Sequence, residues 1–327
     1  MQKKNIAVAM GGYSSEYEIS IQSGQLVYES LSKTRYDVFR IYITKNRWYF
    51  KADDGKEFEV NKADFSFSIG SKTIHPDVVF NAIHGTPGED GLLQAYFELI
   101  DIPHTSCHYY QAALTFNKRD CLSVLKSYGV HCANAYYLNK GDEIKPEEIV
   151  KKVGLPCFVK PSRSGSSFGI SKVKTIEELP KAIEFAYKED PEILIESCLV
   201  GTEVSVGVIE YKGEILVLPA TEIVSENEFF DYEAKYLGKS QEITPARIPD
   251  TERERVKAEA KRIYELLNMT GLSRSEYIIQ DGIPYFIEMN TNPGLSPESI
   301  IPKQASAAGI SLEDLFGNLV EQSFEKK

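Results

Sequence analysis

The sequence predicts an α/β protein of more than one domain, and three observations carry that expectation. An apolar run at 6–10 leads through Gly11-Gly12 into a helical pattern from Glu16 to about Ser32, the start of an α/β unit. Strand-like and helix-like patterns then recur along the chain. Its 327 residues correspond to about two or three domains at the usual length per domain.

Composition narrows the class of partner. Twenty-two glycines and fifteen prolines are ordinary numbers for a globular chain, so neither disorder nor a collagen-like repeat is expected. A net charge of −11 argues against nucleic acid and against an anionic membrane surface, both of which call for a broad basic patch. Any phosphate ligand must therefore be met by locally placed cations. The five cysteines form no C-x-x-C pair and are odd in number, which fits reduced thiols in the cytosol better than disulfides or a zinc site. The first apolar run is too short for a signal sequence, and none is long enough to span a membrane, so a soluble intracellular protein is expected.

Taken in order, the opening unit offers the free N–H groups of a helix N-terminus to an anion, although its glycine pair lacks the G-x-G-x-x-G spacing of a dinucleotide site. Strands are expected at 38–44 and 78–83, and a helix at about 91–100. Between them HGTPGEDG, from His84 to Gly91, sits at a strand end, where α/β sheets tend to hold ligands. By itself His84 reads as a loop histidine making local hydrogen bonds. Glu89-Asp90 reads as charge complementing a helix N-terminus. Lys118 opens the helical pattern KRDCLSVLKSYGV, which ends at Gly129. A strand at 156–160 delivers Lys160 into PSRSGSSFGI, a loop rich in backbone donors and suited to covering phosphates, though not a Walker loop. A strand at 193–195 runs into Glu196, with Glu203 shortly after. These two could accept hydrogen bonds from adenine and ribose, or they could be the exposed ends of a turn.

Antiparallel strands are expected at 204–209 and 214–218 around Tyr211-Lys212-Gly213. Residues 225–245 lack an apolar period, and a loop of that length in a compact domain is usually functional, often a lid. From 251 to 268, Val256, Ala260, Ile263 and Leu267 recur at helical spacing, a structural amphipathic helix with no site on it. A closing helix begins near Ser311. The chemistry lies on 271–299, where β-rich runs at 275–280 and 284–288 flank the turn pair Asp281-Gly282. Glu276 lies in the first run and Glu288 ends the second. Asn290 follows two positions on, where alternation returns a side chain to the same face. Two carboxylates and an amide oxygen are the hard ligands Mg²⁺ takes while it also holds phosphates. In isolation, the glutamates read equally as solvated strand residues.

Read together, GGYSSEYEIS, HGTPGEDG with Gln94, Lys118, VKPSRSGSSFGI, the Glu196/Glu203 pair, FFDYEAKY and SRSEYII followed by IEMNTNPGLSPES resemble the D-alanine–D-alanine ligase family of the ATP-grasp superfamily. The resemblance covers nearly the whole chain. It implies a three-domain ATP-grasp fold: an N-terminal parallel-sheet α/β domain at 1–115, and ATP gripped between antiparallel sheets at 116–200 and 201–327. It implies ATP-dependent ligation of two D-alanines with Mg²⁺, or Mn²⁺ in its place, by a cytoplasmic homodimer serving peptidoglycan synthesis.

The resemblance also assigns residues. It places Lys118 and Lys160 on the ATP phosphates, Lys235 on the γ-phosphate, and Ser167, Glu196, Leu199 and Glu203 around the nucleotide. Glu276, Glu288 and Asn290 match the metal positions. Arg274 and the Gly294 N–H would face the developing oxyanion. Glu16 matches the residue holding the first D-alanine's ammonium, and His84 one near its carboxylate. Ser299 and Ile300 match the second D-alanine's site, while Ser166 and Tyr236 match a pair tying the lid to Glu16. Four positions depart from the family pattern. Glu276 stands where Asp is usual, Ser197 and Cys198 where Lys and Trp often flank adenine, and Tyr17 where a charged or imidazole side chain is common. Alternatives are a ligase with another second substrate, such as D-lactate, D-serine or a different amino acid, and an ATP-binding protein without turnover. The combined carboxylates and cations argue against the latter. Tyr236 argues against D-lactate, because ester-forming relatives typically carry a histidine there whose positive charge disfavours an incoming ammonium.

Overall fold

The run at 6–10 is apolar without alternation because both its faces are covered. Ile6, Val8 and Met10 enter one hydrophobic cluster and Ala7 and Ala9 another. The computed structural model describes residues 3–31, 36–163, 165, 168–225 and 240–325. Its first sheet contains β1 (Asn5–Gly11), β2 (Asp37–Ile43), β3 (Trp48–Lys51), β4 (Glu57–Asn61), β5 (Ser66–Ile69), β6 (Lys72–Ile74) and β7 (Val78–Asn81), in spatial order β6-β5-β4-β3-β2-β1-β7. Only β2, β1 and β7 are parallel, so the sheet is mixed where the sequence suggested a parallel one. The connections from β2 to β6 are too short for crossover helices, which leaves antiparallel pairing as the only option. Helix α1 (Tyr17–Leu31) covers one face with Val27 and Leu31. Helix α2 (Leu92–Leu99) covers the other with Leu93 and Phe97, beside Trp48, Phe50, Phe65 and Phe67.

Helices α3 (Tyr109–Phe116) and α4 (Lys118–Ser127) lead out of this sheet. Asn117 between them caps α4, its side chain accepting the Asp120 N–H. The second sheet is antiparallel throughout: β8 (Ala135–Asn139), β9 (Cys157–Pro161), β10 (Ser171–Val173) and β11 (Glu192–Ser197), in order β10-β9-β11-β8. Helices α5 (Pro146–Val153) and α6 (Leu179–Ala186) back it with Ile149, Val153, Leu179 and Ile183.

The third sheet carries β12 (Thr202–Tyr211), β13 (Glu214–Val217), β14 (Thr221–Ser225), β15 (Ser240–Ile243), β16 (Leu272–Gln280) and β17 (Ile283–Asn290). The order is β15-β14-β12-β16-β17, with β13 also on β12. The expected strands and hairpins are present, and α7 (Asp250–Leu266) buries Val256, Ala260 and Ile263 as its spacing requires. One expectation is corrected. Within the supposed loop at 225–245, Ser240–Ile243 is a strand paired with β14, and the Arg247 guanidinium grips Glu222 next to it. The closing helix, α9 (Leu312–Ser323), is preceded by a further helix, α8 (Ile300–Ala307).

The β16–β17 hairpin turns at Asp281 and Gly282, both at positive φ (53° and 73°), as a two-residue hairpin matched to strand twist requires. Glu276 pairs with Glu288 and Arg274 with Asn290, but the next rung pairs Tyr277 with Phe286, leaving Ile287 as a bulge. The bulge reverses parity. Phe286 and Met289 join Tyr277 in the core, while Glu288 and Asn290 stand with Glu276 and Arg274 on the opposite face.

Along its edge away from β16, β12 pairs with β14 through residues 203–205 and with β13 from 208 onward, leaving a fork at Gly207. Gln304 of α8, fully buried, fills it. Its Oε1 accepts the Gly207 N–H at 3.0 Å, and its Nε2 donates to Ser205 O at 2.8 Å and Thr221 Oγ1 at 3.1 Å. A Cβ at position 207 would lie 2.6 Å from that Oε1, so glycine is required. Gln304→Leu leaves the N–H and the C=O at the fork buried without partners, and a loss of about 2–4 kcal/mol is expected in urea unfolding midpoints relative to the parent protein.

Candidate active site

A cleft of about 350 Å³ opens where the C-terminal ends of β1, β7 and β17 meet the N-termini of α4 and α8. Glu16, His84, Lys118, Arg274, Glu288 and Asn290 line it, and so do Gly294, Ser299 and Ile300. Glu276 does not reach the wall; it is buried behind Arg274, whose Nη2 donates to Glu276 Oε1 at 2.8 Å. The Arg274 Nε is buried without a hydrogen-bond partner among the described residues, a donor available to an anion.

In and beside the cleft three cations meet three carboxylates. Lys118 Nζ lies 3.0 Å from Glu288 Oε2, Lys160 Nζ 2.8 Å from Glu196 Oε2, and Arg274 holds Glu276. Burial alone would lower the Lys160 pKa, but Glu196, Glu288 and Glu203 outweigh it and hold the ammonium above its ordinary range. Glu203 faces the same side of the sheet as Glu276, being separated from it by the even step along β12 that the β16 register requires. Among the described residues no three His, Cys, Asp or Glu side chains form a metal cluster. The candidate donor set is two carboxylates and one amide, hard donors on a single hairpin face, and its chemistry fits a small divalent cation that keeps waters and phosphate oxygens.

The loop after β7 is closed by one acceptor. Gly88 O receives Nδ2 of Asn81 (2.9 Å), Nε2 of Gln94 (2.6 Å) and Nδ2 of Asn292 (2.7 Å). Ser14 Oγ accepts the Glu16 N–H and donates to His84 O, tying the glycine turn to the same loop. The Glu16 carboxylate lies between Gly85 and Gly165, where a Cβ would approach its Oε2 to 3.2 and 2.8 Å. Both ring nitrogens of His84 are used inside the protein: Nδ1 lies 2.8 Å from Asn292 O, and Nε2 lies 2.9 Å from Ser23 Oγ. Burial holds its pKa below the usual imidazole range, against the opposing pull of Glu16.

Glu89 shares this wall, and sequence reasoning gave it only a helix-terminal role. Its Oε2 accepts the Gly85 N–H at 2.7 Å. Enclosure by the cleft wall, reinforced by the Glu16 charge, pushes its carboxyl up to about 8, against the N–H groups of Gly85 and Asn292. At the far end, Ser299 stands at the N-cap of α8 without capping it. Its Oγ meets Ser296 Oγ at 2.8 Å, and a Cβ on Gly294 would lie 2.7 Å from it. Ile300 packs on Ile223 of β14. Glu242, also on the cleft wall, pairs with Lys303 one turn into α8 at 3.1 Å.

Leu199 is half-buried on the connection between β11 and β12. Ser197 Oγ there accepts the Asn134 N–H, and Cys198 Sγ donates to Leu199 O. Tyr17 packs its ring against Gly11. Ser166, Ser167, Lys235 and Tyr236 lie outside the described residues. All five cysteines are free, and burial pushes the thiols of Cys121 and Cys132 up to about 12.

Residues 5–107 match the family described as D-ala D-ala ligase N-terminus, and residues 124–321 match D-ala D-ala ligase C-terminus. The chain is 67% identical to the D-alanine–D-alanine ligase of Flavobacterium johnsoniae, over 98% of this chain and 99% of that one. To that of Christiangramia forsetii it is 60% identical, over 99% and 100%. Among solved structures it resembles a D-Ala:D-Ser ligase from Enterococcus faecalis with a TM-score of 0.89 at 33% identity, over 98% of this chain and 100% of that one.

The Glu89 environment has a measurable signature. Because its folded pKa of about 8 lies above that of an unfolded glutamate, its stabilising contribution is complete below the unfolded value and is lost as pH rises toward 8. Glu89→Gln is neutral throughout. Its thermal midpoint should therefore gain on the parent protein between about pH 4.5 and pH 8 and run parallel above that. A constant difference across this range would show that Glu89 ionises normally.

Proposed function

The chain belongs to the D-alanine–D-alanine ligase family, and from that premise we propose that its cleft joins two D-alanines to D-alanyl-D-alanine, with cleavage of ATP to ADP and phosphate, for peptidoglycan synthesis. The observation that carries this is the hairpin face. Arg274/Asn290 and Glu276/Glu288 occupy two rungs of it, and Lys118 and Lys160 bring cations to the same side. A site built this way serves a substrate with several phosphate charges and an oxyanion to stabilise.

In the first step a carboxylate oxygen of one D-alanine bonds to the γ-phosphorus as the bond to ADP breaks, giving an acyl phosphate. In the second the amine of the other D-alanine attacks the acyl carbon, and the tetrahedral intermediate expels phosphate. Lys118, Lys160 and Lys235 hold the phosphates. Ser167, Glu196, Leu199 and Glu203 hold the rest of the nucleotide. Arg274, whose Nε has no hydrogen-bond partner among the described residues, and the Gly294 N–H face the oxyanion. Glu16 holds the first ammonium, and Ser166 and Tyr236 brace it. Ser299 and the first N–H of α8, at Ile300, take the second carboxylate. Glu276, Glu288 and Asn290 would hold Mg²⁺, or Mn²⁺ in its place, which would supply neutralisation of phosphate charge when bound.

We also propose domains at 1–115, 116–200 and 201–327, a reading supported by the three sheets falling one in each span. A homodimer is supported by the exposed Leu92, Leu99, Tyr109 and Tyr110 on adjoining α2 and α3. A cytoplasmic location is supported by the free thiols, and among the described residues no helix is long and apolar enough to cross a membrane. Phosphate release and mass spectrometry with ATP, Mg²⁺ and D-alanine, D-serine and D-lactate in competition test the reaction. D-Alanyl-D-alanine should predominate; phosphate release without dipeptide, or a mixed product in excess, would refute it. Glu288→Gln should lower kcat by orders of magnitude, a loss of several kcal/mol at the transition state. Glu276→Asp should be tolerated better than Glu276→Ala, with Mg²⁺ titration of phosphate release as the check.

A further inference from the structure

The segment Asn292-Pro293-Gly294-Leu295 is held at both ends by one pair of buried side chains. His84 Nδ1 lies 2.8 Å from the Asn292 carbonyl, and Ser23 Oγ accepts the Leu295 N–H at 3.1 Å. The two clamping groups meet each other, Ser23 Oγ lying 2.9 Å from His84 Nε2. Every proton in this circuit can be placed. The Asn292 carbonyl only accepts, so Nδ1 carries the ring proton. Burial keeps the ring neutral, which leaves Nε2 as the acceptor for the Ser23 hydroxyl. The hydroxyl oxygen is then free to receive Leu295 N–H. Ser23 is fully buried on α1 and forms no part of the cleft wall. Gly294, between the two anchors, is packed against Ser299 Oγ. Its backbone is therefore held from both flanks.

We propose that Ser23 and His84 act jointly as positioning residues for the Gly294 N–H, and that His84 works through this clamp rather than by holding a substrate carboxylate. The inference rests on the reading of Gly294 as an oxyanion donor in the ligation. A clamp and a substrate contact make different demands on kinetics. A displaced oxyanion donor lowers kcat, whereas a lost contact to the first D-alanine raises its KM. Ser23 separates the two cleanly, since it touches the clamp and not the cleft.

The unmodified enzyme is assayed first, because absence of D-alanyl-D-alanine there would refute the ligase reading itself. Ser23→Ala should then lower kcat roughly tenfold or more while leaving KM for the first D-alanine within about twofold. His84→Ala should add little to Ser23→Ala in the double variant, because both remove one unit. Two measurements report on the clamp whether or not product forms. ¹⁵N NMR of the unmodified protein should show His84 as the Nδ1–H tautomer, and the Leu295 amide should exchange faster in Ser23→Ala. A parent-like kcat in Ser23→Ala, an Nε2–H tautomer, or a His84→Ala variant that raises the first KM with kcat intact would each overturn the proposal. Should Ser23→Ala fail to fold, the tautomer alone decides.

Discussion

The geometry of the cleft depends on one carbonyl oxygen. Gly88 O is the common acceptor for the side-chain amides of Asn81 from β7, Gln94 from α2 and Asn292 from the loop after β17. A carbonyl has two lone pairs, so three donors crowd it, and the Gln94 Oε1 is left buried without a hydrogen-bond partner among the described residues. That imperfection is outweighed by what the arrangement joins. Through Asn292 the last strand of the third sheet is fastened to the first sheet, and through Ser106, which donates to Asn292 Oδ1, to the segment leading into α3. Position 88 admits no side chain, since a Cβ there would lie 2.3 Å from Ile83 O. His84, Glu89 and Gly294 can share a wall only because this junction is fixed.

The second constraint is parity. Side chains alternate along a strand, so a one-residue slip would drive Glu276, Glu288 and Arg274 into the core against α7. Tyr277, Phe286 and Met289, all buried in that core, forbid the slip. The bulge at Ile287 is what lets Phe286 face inward while Glu288, two positions on, faces the cleft. It is held from the outer edge, where the Phe286 N–H is taken by His131 O. The pattern E-x-N reads correctly as one face because it lies wholly beyond the bulge.

These two constraints explain what was legible in the sequence. The hairpin and α7 announce themselves by period, the buried β1 by an unbroken apolar run, and Asp281-Gly282 by its turn chemistry. Lys118 and Lys160 stand at the helix start and the strand end that their patterns suggested. Strands β3 to β6 were not legible, being short and partly polar, nor was β15, whose SQEI has one apolar residue to mark it. Ser23 gave no signal, since a serine on the inner face of a helix reads as packing. Glu89 lay inside a glycine-rich loop already singled out, yet its elevated carboxyl pKa comes from burial and from Glu16, a residue brought beside it only by folding. His84 shows the limit of motif reading. Its place in the loop was evident, but the engagement of both nitrogens with α1 and the 292–295 segment is a tertiary fact.

Charge pairing in the cleft has a consequence for how it is used. The chain carries a net charge of −11, and Lys118, Lys160 and Arg274, the cations in and beside the cleft, each stand against a carboxylate, so they form no open electropositive patch. On the proposed reading, phosphates would draw Lys118 away from Glu288, which weakens the positive field on a partly buried carboxylate. That state is costly unless a second positive charge arrives. Conversely, a divalent cation held by Glu288 would loosen its pairing with Lys118 and leave that ammonium more available to a phosphate. On that reading nucleotide and metal would each favour the other by linkage. The pairing seen here holds the same groups in place beforehand, so that exchange of partners, rather than assembly of charges, accompanies binding.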